Sequence, residues 1–161
     1  MTNIMGLNHA AYRCRDSEET RQFYEDFLGL PLVDALAIGT TATGRDARVL
    51  HTFFAMQDGS CIAFFEAPDE PFEFKAQLDF DLHIALTVDQ STLQTMFEKG
   101  KAEGIETRGV SDHGFVHSIY FRDPNGYVVE LAAPTGKTQG SKEDRRAKAR
   151  TLLTEWSENR A

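Results

Sequence analysis

Apolar and polar positions along the chain fall into two successive copies of one pattern. In the first copy, residues 4–14 (IMGLNHAAYRC) read as a strand carrying His9 near its middle. Asp16 and Glu19 then have the spacing of a capping box. Phe23, Tyr24, Phe27 and Leu28 share one face of the helix that it opens, and Gly29 closes it. An extended segment after Pro31, a polar Gly-rich loop over 39–46, a strand over 47–57, a turn at Asp58-Gly59 and a strand over 60–66 follow. Residues 67–79, with Pro68 and Pro71, read as a linker. The second copy opens with a strand over 80–88 carrying His83, then a helix over about 90–103 with Leu93, Met96 and Phe97 on one face, closed by Gly104. An extended segment (105–109), a loop (110–114), a strand (115–122), a turn at Pro124-Asn125-Gly126 and a last strand with Glu130 complete it.

Counting supports the repeat. His9 to Phe23 and His83 to Phe97 are both 14 residues, and His9 to Gly29 and His83 to Gly104 are 20 and 21. Each half reads β-α-β-β-β, so an α+β fold of paired βαβββ modules is expected. The halves, lying side by side, should turn their first and last strands toward a shared concavity. Residues 1–136 form one such unit, with modules at about 4–68 and 80–134. Residues 137–161 break the pattern. There Ser141 and Asp144 read as a helix start, and Ala149, Leu152, Leu153 and Trp156 recur at helical spacing. This helix is expected to dock on its own domain or on a second subunit.

Charge narrows the classes of partner. The net charge is −8 with a pI near 5.1, whereas nucleic acid and anionic membrane surfaces call for a basic face. No apolar run is long enough for a membrane span, and the first residues lack the basic-then-apolar order of a signal peptide. Cys14 and Cys61 read as free thiols in apolar strands, consistent with a reducing cytoplasm.

The candidate chemistry starts from Glu130, a carboxylate in the nearly apolar run YVVEL. A buried carboxylate is costly unless it is paired or holds a metal. His9 and His83 occupy equivalent places in the two halves. Two imidazoles and one carboxylate from three strands make a facial triad that leaves open positions on a divalent ion, typically Fe(II). The first half offers no clear fourth ligand. Glu130 is four residues beyond Gly126, and four beyond Gly59 is Ala63. Glu66, three residues further, points to the other sheet face unless a bulge intervenes. His51 reads as a packed strand residue, and Arg45 and Arg48 as a solvated loop. No strained Gly-x-Ser-x-Gly turn or phosphate-cradling loop is present in the sequence.

The stretches GLNHAAYRCRDSEETRQFYEDFLGL, LHIALTV and SIYFRDPNGYVVEL resemble the vicinal oxygen chelate superfamily over residues 4–134. That superfamily includes glyoxalase I, extradiol ring-cleaving dioxygenases, methylmalonyl-CoA epimerase and fosfomycin-resistance proteins. The resemblance implies paired modules forming a half-barrel around one divalent metal, with His9, His83 and Glu130 as ligands. Ala63 stands where glyoxalase I and the epimerases carry Glu or Gln. Tyr120, ten residues before Glu130, matches the extradiol pattern, and His113 is the better match than His117 for the acid-base histidine of that branch. The expected activity is therefore extradiol cleavage of a small catecholic substrate with Fe(II), Mn, Ni or Zn being the other metals considered. A glyoxalase-like lyase or an epimerase is the first alternative, and a metal-free binding protein of the bleomycin-resistance kind the second. A homodimer is expected by analogy.

Overall fold

The computed structural model describes residues 3–159. In chain order it contains β1 (His9–Cys14), α1 (Ser17–Arg21), a π-helical continuation (Gln22–Phe27), β2 (Leu32–Thr40), β3 (Asp46–Ala55) and β4 (Cys61–Glu66). The second module has β5 (His83–Thr87), α2 (Gln90–Ala102), β6 (Thr107–Asp112), β7 (Val116–Arg122) and β8 (Val128–Pro134), and α3 (Lys142–Glu158) follows. Each module is a four-stranded mixed sheet, ordered β1-β4-β3-β2 and β5-β8-β7-β6. The first and last strands of each module pair in parallel, and the other pairs are antiparallel. These are the paired βαβββ modules that the repeat predicts.

Strand alternation decides which side of each sheet is covered. Tyr12, Cys14, Phe54, Ile62 and Phe64 point to one side of the first sheet, where they meet Phe23, Tyr24 and Phe27 of the helical segment. Ile84, Ile119, Phe121, Val129, Leu131 and Ala133 do the same in the second, against Leu93 and Met96 of α2. Both sets belong to one continuous core, and Phe27 meets Phe121 edge-on with ring centroids 5.1 Å apart. The helices thus sit between the two sheets. The opposite faces, which carry His9 and Glu130, look outward in different directions. The shared concavity expected between the two halves of one chain is not formed, because the apolar helix-facing sides claim the space between the sheets.

The Asp123–Gly126 turn holds the modules together. Asp123 Oδ1 accepts from the Asn125 and Tyr127 amides, and its Oδ2 accepts from the Tyr24 hydroxyl at 3.0 Å. Asn125 reaches the other module, accepting from the Arg15 amide at 2.8 Å and donating to Thr20 Oγ1. Gly126 has φ +95°, and a Cβ there would lie 2.4 Å from the Lys75 carbonyl oxygen.

Several boundaries differ from the pattern-based expectation. β1 starts at His9, not residue 4, so His9 opens the strand; just before it, the Asn8 carbonyl accepts from the Cys61 amide at the start of β4. His83 likewise opens β5. The loop expected over 39–46 is present as a turn over 41–45, with Gly39 and Thr40 ending β2 and Asp46 opening β3. β6 runs on into residues expected as a loop, because ladder bonds to β7 outweigh their composition. Asp16 caps α1 through Glu18 and Glu19. Ser141 caps α3 through Asp144, but α3 buries no side chain among the described residues: Leu152, Leu153 and Trp156 are 54%, 67% and 70% exposed. No helix among the described residues is long and apolar enough to cross a membrane.

Candidate metal centre

The second module brings His83 and Glu130 together. β5 and β8 run parallel with Ala85 opposite Glu130, so His83 and Glu130 lie diagonally on one face. Glu130 is buried, and its Oε2 lies 3.3 Å from His83 Nε2. His83 Nδ1 is 2.5 Å from the Asp79 carbonyl oxygen. A carbonyl only accepts, so Nδ1 carries a proton, and Nε2 is the ring nitrogen turned to the carboxylate. With a neutral ring two acceptors face each other and a cation belongs between them; with a protonated ring the contact is an ion pair. A charge-assisted N–H···O bond would be nearer ~2.8 Å. Two ligand atoms each about 2.1 Å from one divalent ion, at about a right angle, lie about 3 Å apart. This donor pair therefore fits a metal.

Tyr120 is the direct cross-strand partner of Glu130. Its hydroxyl lies 3.3 Å from His113 Nε2, and the Arg108 guanidinium sits over its ring, 5.5 Å from the centroid. Arg108 is in turn held by Asp79, whose carbonyl orients His83. Burial, and then the negative charge of Glu130, push the Tyr120 hydroxyl above its usual pKa. It is thus a proton donor at neutral pH, and His113 Nε2 is positioned to accept. His117 falls on the other sheet face, bonded to Gln90.

The first module carries a different set on its outer face. His9 donates from Nδ1 to Asn8 Oδ1 at 2.6 Å, which leaves Nε2 with a lone pair. Its ring touches His51 and Phe53, with centroids 6.0 and 5.5 Å away. Phe53 pairs with Ala63 as Tyr120 pairs with Glu130, so Ala63 does occupy the place equivalent to Glu130. Glu66 is used elsewhere: its Oε2 accepts from the Ser17 amide at 2.8 Å, at the start of α1. Arg45 and Arg48 form exposed ion pairs with Glu70 and Asp69.

One chain does not unite the proposed triad. His9 faces away from His83 and Glu130 across the core, and no group of three or more His, Cys, Asp or Glu side chains among the described residues is spaced to hold a metal. The candidate residues fall into two separate clusters, one with His9 and one with His83, Glu130, Tyr120 and His113.

The family profile of the glyoxalase/bleomycin resistance protein/dioxygenase superfamily matches residues 6–131. The chain belongs to this superfamily. Solved structures of its members have the same fold. A glyoxylase/bleomycin resistance protein/dioxygenase domain from a Frankia species superposes with a TM-score of 0.64 at 18% identity, covering 82% of this chain and 99% of that one. A glyoxalase/dioxygenase from Nostoc punctiforme gives 0.60 at 21%, covering 82% and 92%. The fosfomycin resistance protein FosX from Listeria monocytogenes, solved with Mn(II) and a dihydroxypropylphosphonic acid, gives 0.57 at 24%, covering 88% and 98%. Superfamily members thus include a protein solved with a divalent metal and a small ligand bound.

Sequence reasoning passed over His51, which lies on the same outer face as His9. That placement depends on the β3–β4 register, which pairs His51 with Phe65 and Phe53 with Ala63. The signal in the sequence was its two-residue spacing from Phe53, which puts both on one strand face.

Proposed function

We propose that this protein is a metal-dependent enzyme for a small substrate with two adjacent oxygens, and that its site is shared by two copies of the chain. The observation that carries the metal is the 3.3 Å contact of His83 Nε2 with the buried Glu130 carboxylate, longer than a charge-assisted hydrogen bond. The sharing follows from His9 and Glu130 facing outward from opposite sides of one core. A second copy that sets its first-module face against this chain's second-module face would bring His9 to His83 and Glu130. It would also cover apolar surface that the single chain leaves open, such as Leu36 on the His51 face. α3 is suited to the same partner. Residues 137–161 carry 7 basic and 4 acidic residues, whereas residues 1–136 carry 10 and 21, and the exposed Leu152, Leu153 and Trp156 offer an apolar contact.

A divalent ion held by His9, His83 and Glu130 would act as a Lewis acid toward the two substrate oxygens. Tyr120 would donate a hydrogen bond to a substrate oxygen, and His113 would take and return a proton. Arg108 and Asp79 would keep Tyr120 and His83 in place. The Tyr120–His113 contact supports extradiol ring cleavage of a small catechol. The outward-facing His51 favours a second reading, a lyase or isomerase whose ion is held by more protein ligands.

Metal analysis of anaerobically purified protein, followed by oxygen uptake on adding catechol, tests the proposal. Stoichiometric iron with uptake supports ring cleavage. Nickel, zinc or manganese without uptake, with turnover of a glutathione hemithioacetal, supports the second reading. Protein that takes up no stoichiometric metal, with or without His83→Ala, overturns metal dependence.

A further inference from the structure

We infer that His51 is a fourth ligand of the shared metal, standing in for the carboxylate that is absent at Ala63. The inference rests on the shared site formed by His9, His83 and Glu130, and adds a residue to it. His51 lies on the same face of the first sheet as His9, two strands away, with Ala63 between them. Its ring is fixed. It stacks on Phe65 at 3.7 Å with 13° between planes, and Phe53 covers it at 4.1 Å. Its Nδ1 donates to the Phe64 carbonyl at 3.0 Å, so Nε2 holds the lone pair. Among the described residues Nε2 has no hydrogen-bond partner. His9 and His51 are thus two imidazoles with the same tautomer, each anchored through Nδ1, the arrangement in which metal-ligating histidines are oriented by their other nitrogen.

Distances agree with a common ion. Ligation through Nε2 places a ring centroid about 3.2 Å from the metal, so two such rings lie about 4.5–5.5 Å apart at ligand angles of about 90–120°. The observed 6.0 Å is slightly wider, so the two rings close by about half an ångström when the ion binds. The small side chain at Ala63 is what makes room. A Glu there would fill the space on that face between the strands bearing the two rings.

Four protein ligands have a consequence for the chemistry. A six-coordinate ion then has two positions left, enough for two adjacent substrate oxygens and not for dioxygen as well. His51 ligation therefore moves the chain from ring cleavage toward lyase or isomerase chemistry.

The test uses the metal alone. Co(II) affinity is measured by titration for the full-length protein and for His9→Ala, His51→Ala, His51→Gln and Glu130→Ala, with circular dichroism as the folding check. Nitrogen couplings from pulsed electron paramagnetic resonance of the Cu(II)-loaded wild type count the bound imidazoles, and need no variant to fold. The expected result is three imidazoles and an affinity loss of tenfold or more for both His51 variants. Two imidazoles, with affinity lost in His9→Ala and Glu130→Ala and unchanged in the His51 variants, overturn the inference and leave the triad standing. Affinity unchanged in His9→Ala and Glu130→Ala overturns the triad itself, and His51 ligation with it.

Discussion

Asp123 shows how much one side chain in a recognisable turn can carry. The Asp-Pro-Asn-Gly stretch is legible as a turn, but its contacts with Tyr24, Arg15 and Thr20 are about a hundred residues away in sequence and could not be read from spacing. Burial raises the Asp123 pKa above its ordinary value, despite the hydrogen bonds from Tyr127, Asn125 and Tyr24 that act to lower it. The protonated form is therefore the one the fold favours. Its contribution to stability is fully present below the unfolded value of about 3.9 and is lost as pH rises through the raised folded value. Asp123→Asn removes the titration. Urea midpoints at pH 4 and pH 7 should show wild type losing ground to this variant as pH rises. A difference that does not change with pH would contradict the raised pKa.

At the scale of elements, Gly100 in α2 separates local propensity from packing. An exposed helical Gly replaced by Ala gains about 1 kcal/mol from propensity alone. Here a Cβ would lie 2.4 Å from Thr107 Oγ1 and 2.6 Å from Cε1 of the buried Phe121. Crowding of this kind costs about 1–3 kcal/mol, so Gly100→Ala should lower the urea midpoint. A rise would mean that Thr107 and Phe121 yield easily. The helices and the hairpin strands were legible because their apolar periods and turn residues are local. The edge strands β2 and β6 were only partly legible, since their hydrogen bonds come from β3 and β7 rather than from their own composition.

For the whole molecule, the decisive feature is that one chain carries both halves of the proposed site and does not close them on each other. Subunit exchange can test this directly. His9→Ala and Glu130→Ala should each abolish stoichiometric metal binding alone. Mixed and allowed to exchange subunits, they form heterodimers in which one of the two sites has all its ligands. Such a mixture should bind about one metal per heterodimer, read by equilibrium dialysis, because both damaged ligands fall in the same second site. No recovery after demonstrated exchange would show that the ligands come from a single chain.

By itself the sequence determined the repeat, the βαβββ order of each half, and a short list of residues able to hold a metal, because all of these are carried by periodicity and residue type. Register was within reach by counting from the turn glycines, and the β3–β4 and β7–β8 ladders place Ala63 opposite Phe53 as Glu130 lies opposite Tyr120. Only the tertiary structure decided which sheet faces meet. The apolar helix-facing sides bury each other in one core, so the faces bearing His9 and Glu130 are turned apart. No spacing along the chain encodes that choice, because it depends on how two modules share one interior.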